Sequence, residues 1–377
     1  RLQTIFLSLQ KILLTEDLVN YLNSKLNFKE VPSGKVGWRS PSNIALLKYW
    51  GKKAVQLPSN ASLSFTLQES LTETVVKFFP TSGKNFNLKF YLDGIHNDIF
   101  AEKISTFFKA LVDIFPFINQ LGFKIHSKNT FPHSVGIASS ASGMSAIALT
   151  LCEIERKYFN TFSSNDEFFQ KASYIARLGS GSACRSLYGG LVSWGEIEGI
   201  ESSSNLYGSK LILNIKPVFE TYQDSILIVD STQKKVSSRF GHELMNSNPL
   251  SNKRFEQANN NIQRLLSVIS SGDLVEFVKI VESEALTLHA MMMTSNPYFI
   301  LMKPNTISII NSIWEFREET EIPVCFSLDA GPNIHLLYPH ENKDQVIAFI
   351  NSELLKFTNN NTVIHDKVGS GPEKLEL

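Results

Sequence analysis

The sequence predicts an α+β protein of two domains, and three observations lead there. Strand-like runs precede helical runs in each half, without the regular βαβ alternation of a parallel sheet. The chain is long enough for two modest cores, with 377 residues of which 43% are hydrophobic and 19% charged. Strand patterns resume past Asn205 after a helical stretch, which sets expected domains at 35–205 and 206–377 behind an N-terminal extension at 1–34.

Taken in order, 35–79 reads as an antiparallel β region. Val36 and Trp38 open it, Leu63, Phe65 and Leu67 alternate with Ser62, Ser64 and Thr66, and Thr74, Val75 and Val76 continue it. Alternation over 86–92 gives a further strand. Ile104, Phe107, Phe108, Leu111, Ile114 and Phe115 give a helix over 98–118, and 123–126 returns as a short strand. Over 139–159, Met144, Ile147, Ala148, Leu151 and Ile154 share one helical face behind small residues that can cap it. Another helix is expected over 167–178.

Beyond the boundary, 211–217 and 225–229 read as strands, and 252–270 as a helix. The helix expected over 273–289 carries Leu274, Phe277, Val278, Val281, Ala285 and Leu288 inward. Short strands at 324–328 and 334–338 flank a Gly-Pro turn, and 345–357 reads as the closing helix.

Charge excludes several classes of partner. Thirty-six basic residues balance thirty-six acidic ones, so no global field draws in nucleic acid or an anionic membrane, and any anion must be gripped locally. No apolar run approaches the roughly 20 residues of a membrane span. Ile5, Phe6, Leu7, Ile12, Leu13 and Leu14 form an apolar N-terminal run, but Gln3, Gln10 and Lys11 interrupt it and no small-residue cleavage site follows. Cys152, Cys184 and Cys325 lie far apart in apolar or small-residue settings, which suits reduced thiols and a cytoplasmic location. His96, His126, His289, His335, His340 and His365 show no ligand spacing, and the consecutive Met291, Met292 and Met293 read as core filling.

Four segments can carry chemistry. Phe131-Pro-His-Ser-Val-Gly-Ile-Ala-Ser-Ser-Ala-Ser-Gly143 runs small residues into an amphipathic helix, whose free N–H groups and hydroxyls would suit nucleotide phosphates. It lacks the Gly-Lys-Ser/Thr of a Walker A loop, and a Ser-rich N-cap explains the pattern equally well. Gly179-Ser-Gly-Ser-Ala-Cys-Arg-Ser186 sets one planar guanidinium in a small-residue loop, although alone it would read as a turn with a solvated arginine. Lys48 and Lys52 stand among apolar and aromatic residues, where burying an ammonium needs an anionic partner unless the side chains snorkel to water. Asp329-Ala-Gly-Pro-Asn333 follows an apolar strand, where the carboxylate can be a general base or simply a turn residue.

Asn43-Ile44-Ala45 with Lys48-Tyr49-Trp50-Gly51-Lys52, the Ala138-Ser139-Ser140-Ala141 loop, the 179–186 loop and the 329–333 turn resemble, in this order, the motifs of the diphosphomevalonate decarboxylase family. That family is a branch of the GHMP kinase superfamily. The likeness runs from about Val36 to the C-terminal Val368-Gly-Ser-Gly-Pro372, and the 179–186 string is specific to this branch. It implies an N-terminal domain like ribosomal protein S5 and a ferredoxin-like C-terminal domain. It also implies ATP- and Mg2+-dependent decarboxylation of mevalonate 5-diphosphate, in a homodimer without nucleic-acid or membrane partners.

By the same resemblance, Asp329 deprotonates or orients the C3 hydroxyl with Lys48 beside it, and Arg185 grips the substrate carboxylate near Ser180, Ser182 and Asn43. Ser139 and Ser140, with Gly136 and Ala138, hold ATP phosphates. Tyr49, Lys52, Ser238 and Arg239 bind the diphosphate. The resemblance gives no metal ligands. His133 and Ser134 depart from the family pattern, as does His242, which stands where the family usually has Met. A monophosphate decarboxylase, a mevalonate-type kinase that stops at phosphorylation and a non-catalytic ligand-binding homologue remain as alternatives.

Overall fold

A computed structural model describes residues 21–53, 56–81, 86–132, 137, 139–232 and 238–377, with only the main chain of Ser238 and Arg239. Strand β1 (Gly34–Leu47) lies antiparallel to the long β4 (Ser62–Pro80), and the small hairpin of β2 (Lys52–Lys53) and β3 (Leu57–Pro58) falls between them in sequence. The register of β1 shifts at Pro41/Asn43 and again at Ala45/Leu47. Such irregularities bend a strand and re-aim its side chains.

β4 serves two partners along its remaining edge. Thr72–Pro80 pairs with β7 (Leu121–Asn129), while Ser62–Phe65 pairs with β8 (Leu191–Trp194), which in turn pairs with β9 (Gly208–Lys210). β5 (Leu88–Leu92) runs parallel to β7 and makes a hairpin with β6 (Ile95–His96), and α1 (Asp98–Ala110) supplies the crossover. Helices α2 (Ser139–Phe159) and α3 (Asn165–Gly179) pack on this eight-stranded sheet around Val76, Phe78, Phe123, Ile125, Ile154 and Ile175.

The second sheet has four antiparallel strands in the order β11 (Cys325–Leu328), β12 (Ile334–Tyr338), β10 (Gln223–Leu227) and β13 (Val363–Lys367). With it go α4 (Ser238–Leu244), α5 (Ser251–Ser271), α6 (Leu274–Met293), α7 (Pro304–Thr320) and α8 (Lys343–Phe349). Ile309, Ile310 and Ile313 of α7 pack on Phe326, Leu328 and Leu336. The chain then returns to the first sheet. Asp366 accepts hydrogen bonds from the main-chain N–H groups of Gln68, Glu69 and Ser70 at 2.8–2.9 Å, and β14 (Glu373–Lys374) pairs with β1. Gly369 allows this return, because a Cβ there would lie 2.5 Å from the Leu67 carbonyl oxygen.

The mixed α+β architecture is as predicted, and several elements differ in extent. The helix predicted over 98–118 stops at Ala110, because Pro116 opens a 3₁₀ turn and disfavours helical backbone just before it. The short strand at 123–126 grows to Leu121–Asn129 through pairing with β4. No strand forms over 211–217. Leu211, Leu213 and Ile215 bury their side chains against the inter-sheet core while β9 ends at Lys210, so their alternation is satisfied by packing instead of a ladder. The closing helix breaks at Phe349 into a π turn and a 3₁₀ turn. Unforeseen elements include α7, β8 and β13, although Pro304 at the helix start and the Ile309/Ile310/Ile313 stripe were available signals for α7.

Ile44, Leu46, Leu63 and Phe65 of the first sheet share one apolar cluster with Tyr222, Phe277 and Val281. Beside it sits a fully buried ion pair. Glu284 of α6 accepts from Arg254 Nη1 at 2.9 Å and Nη2 at 2.5 Å, from Asn261 at 2.7 Å and from the Lys48 main-chain N–H at 3.0 Å. Arg254 Nη2 and Asn60 donate to the Lys48 carbonyl. Removing one member of a buried pair leaves an uncompensated charge at a cost of about 3–5 kcal/mol. Glu284→Ala is therefore expected to lower the urea midpoint and Tm sharply, whereas Glu284→Leu combined with Arg254→Met recovers most of the loss.

Candidate active site

The end of β1 delivers the first functional side chain. With its main chain held by Glu284, Arg254 and Asn60, the buried Lys48 points its ammonium at Asp329, with Nζ 3.1 Å from Oδ1. Burial pushes the Lys48 pKa down, and Asp329 and Glu284 oppose that shift. Asp329 caps β11 from the second sheet. Its carbonyl lies 3.1 Å from His289 Nε2, while its side chain remains 29% exposed and open to a ligand. The ammonium is thus buried and the carboxylate partly accessible.

Arg185 comes from the 3₁₀ segment Gly181–Ser186 and is buried against Trp194. Its Nε donates to Ser64 Oγ at 2.6 Å and its Nη1 to Ser62 Oγ at 2.7 Å. The alternation that makes β4 a strand therefore also presents both serines to the guanidinium. Burial lowers the Arg185 pKa, and Asp329 opposes the shift. Arg185 also lowers the Lys48 pKa and Asp329 raises both, so Lys48, Arg185 and Asp329 share one electrostatic neighbourhood drawn from three separate parts of the chain.

The other sequence-predicted residues divide into groups. Ser139 and Ser140 form the first turn of α2, where no acidic residue opposes an anion, and Ser140 Oγ lies 3.5 Å from Ser180 Oγ. This contact links the helix start to the Arg185 loop. Ser182 directs its carbonyl to Asn43, whose amide donates there at 3.2 Å and to Ser186 Oγ at 2.8 Å. Both amide contacts brace the loop. Tyr49 is buried against Trp194 and His242, and its hydroxyl, which burial keeps protonated, has no hydrogen-bond partner among the described residues. An unpaired buried donor of this kind fits an anionic ligand oxygen. Lys52 lies on β2 close enough to His242 to influence its titration. Gly136 and Ala138 lie outside the described residues, as do the side chains of Ser238 and Arg239.

Residues to which sequence reasoning gave no role in the site are Ser62, Ser64, Asn60, Arg254, Glu284 and His242, the last noted there only as a departure from the family pattern. Two of them left a signal: Glu284 and Arg254 sit at the buried phase of their helices, between Val281 and Leu288 and one turn before Ala258. A charge on an apolar stripe points to a buried partner. Cys184, although inside the Arg185 loop, has its thiol pushed up to about 12 by burial, which makes it a poor nucleophile. Among the described residues no group of three or more His, Cys, Asp or Glu could hold a metal ion, and no helix is long and apolar enough to cross a membrane.

Two family models match the chain, the diphosphomevalonate decarboxylase-like N-terminal domain over 40–205 and the mevalonate 5-diphosphate decarboxylase C-terminal domain over 225–375. The diphosphomevalonate decarboxylase of Schizosaccharomyces pombe is 30% identical over 330 residues, covering 82% of this chain and 79% of the relative. That of Saccharomyces cerevisiae is 30% identical over 328 residues, with the same coverage. Mevalonate diphosphate decarboxylase from Staphylococcus aureus superposes with a TM-score of 0.77 at 29% identity, over 92% of this chain and 99% of that one. A structure described as MDDEF in complex with MVAPP, AMPPCP and magnesium gives 0.77 at 26% identity, over 92% and 100%. Matches of this extent reach from β1 to the C-terminal return, and the chain belongs to the diphosphomevalonate decarboxylase family.

Proposed function

We propose that this chain catalyses the ATP-dependent decarboxylation of mevalonate 5-diphosphate to isopentenyl diphosphate, ADP, phosphate and CO2. The observation that carries the reading is the 3.1 Å Lys48–Asp329 contact, a buried ammonium holding an accessible carboxylate, with Arg185 in the same field. Asp329 accepts the proton of the tertiary C3 hydroxyl as that oxygen takes the γ-phosphoryl group of ATP. Phosphate then departs as the bond between C2 and the carboxylate carbon breaks, CO2 leaves, and the electron pair forms the new double bond. Arg185 holds the carboxylate through donors on Nη1 and Nη2 that remain beyond its bonds to Ser62 and Ser64.

Complexes of a relative with MVAPP, AMPPCP and magnesium support the same ligands here. The start of α2 at Ser139 and Ser140 suits nucleotide phosphates. Mg2+ would be held mainly through phosphate oxygens and water, and would neutralise charge on the transferred phosphoryl group. In this reading 35–205 supplies the nucleotide loop, Lys48 and Arg185, and 206–377 supplies Asp329. A cytoplasmic homodimer belongs to the same proposal. The family resemblance supports the dimer, and three free, buried cysteines support a reducing compartment.

Purified protein supplied with ATP, Mg2+ and mevalonate 5-diphosphate is expected to release ADP and CO2 in equal amounts. ADP without CO2 would favour a kinase, and neither product would favour a non-catalytic homologue. Asp329→Asn is expected to lower kcat about 100- to 10,000-fold while the melting curve stays close to wild type. Wild-type turnover in that variant would remove Asp329 from the proton transfer. Arg185→Lys keeps the charge but cannot reproduce a fork fixed by two serines, so steady-state kinetics should show kcat/KM reduced about 100-fold.

A further inference from the structure

Outside the residues assigned to chemistry, several buried titratable groups touch the site, and one of them packs directly on Tyr49. His242 of α4 is buried, and its Nδ1 receives the Gly51 main-chain N–H at 3.0 Å. A main-chain N–H can only donate, so Nδ1 carries no proton and the ring is neutral. Burial is the main cause that holds its pKa well below the usual histidine range, and the charges of Lys52 and Arg185 add to it. The ring packs against Tyr49, with centroids 4.2 Å apart, and against Trp50, at 4.5 Å.

The backbone beneath the ring has little freedom to adapt. Gly51 has φ +108°, a conformation that favours glycine, and a Cβ there would meet the Phe255 ring at 2.8 Å. On the facing element, a Cβ on Gly241 would meet the Trp50 ring at 2.5 Å. Tyr49 and Lys52 flank this turn, and the Tyr49 hydroxyl is the buried donor without a partner among the described residues.

We infer that His242 is a positioning residue for substrate selection, fixing the turn at Gly51 so that Tyr49 and Lys52 meet the terminal phosphate of the substrate. The inference rests on the functional reading above and deepens it. Losing the acceptor leaves a buried N–H unpaired and lets the turn relax, which weakens the grip on the diphosphate tail and leaves the reacting end untouched.

The test crosses two variants. His242→Phe keeps a ring between Tyr49 and Trp50 without the acceptor, whereas His242→Asn keeps an acceptor near Nδ1 without the ring. Wild type and both variants are compared with mevalonate 5-diphosphate, mevalonate 5-monophosphate and ATP, after thermal melts. His242→Phe is expected to raise KM for the diphosphate about tenfold, with kcat and KM for ATP changed less than about twofold. Its preference for diphosphate over monophosphate should shrink by the same factor, and His242→Asn should stay within about threefold of wild type.

The inference is overturned by a Phe variant with wild-type KM, by equal losses on monophosphate and ATP, or by an Asn variant as impaired as Phe. If the Phe variant does not fold, Asn decides alone: wild-type preference sustains the inference, and a loss of about tenfold overturns it. Wild-type protein that releases neither ADP nor CO2 from the diphosphate overturns the functional reading and the inference together. Normal wild-type turnover beside an unaffected Phe variant overturns the inference alone.

Discussion

The carboxylate of Glu284 is the constraint on which the rest of the site depends. It lies at the junction of the two sheets and accepts from Arg254, Asn261 and the main chain of Lys48. A buried ion pair contributes little net stability compared with a well-packed apolar replacement. What this one supplies is a fixed main chain at the end of β1. The direction of the Lys48 side chain follows from that, and with it the distance between an ammonium on one sheet and a carboxylate on the other. Apolar packing between Phe65, Tyr222 and Phe277 holds the sheets together without direction, while the hydrogen-bonded ion pair sets their register.

Lys48 and Arg185 are both buried, the Arg185 charge adds to burial in depressing the Lys48 pKa, and the accessible Asp329 carboxylate partly offsets the shift of each. Buried cations of this kind favour polyanionic ligands. In a reaction that transfers a phosphoryl group and expels phosphate and CO2, negative charge moves among oxygens throughout. Fixed, buried positive groups suit such a transition state because they need not reorganise. This accounts for a site with few titratable residues whose geometry is held by serines, glycines and main-chain contacts. Ser62 and Ser64 fix the guanidinium, Asn43 braces the loop that carries it, and Ser140 joins that loop to the start of α2.

Close approaches between main chains keep this frame rigid. Gly369 lets the C-terminal segment run against Leu67, and Asp366 caps three N–H groups of β4 beside it. The C-terminal return thereby ties the second sheet to the strand that carries Ser62 and Ser64. Nearby, Gly241 of α4 makes room for the Trp50 ring and Gly51 for the Phe255 ring of α5. Histidines read as structural in the sequence divide along similar lines. His335 forms a buried pair with Asp224, while His289 reaches the Asp329 carbonyl and so lies against the site.

By itself the sequence determined the local elements and the inventory of chemistry. Helix α2 was legible residue for residue because its apolar face repeats at the helical period, and β4 because its serines and leucines alternate. Lys48 stood out because an ammonium among apolar residues needs a partner, whereas Arg185 and Asp329 were given their roles by the family resemblance. Only the tertiary structure decided who those partners are. Lys48 meets Glu284 and Asp329 across 236 and 281 residues of chain, and no local pattern encodes closure over such separations. The apolar alternation at 211–217 failed for the same reason, since a period of two records which side chains are buried but leaves open whether a neighbouring strand is there to pair with. The two serines that orient Arg185 and the histidine beneath Gly51 acquired their roles from sheet register and helix docking, which bring donors and acceptors within hydrogen-bonding distance only once the chain has folded.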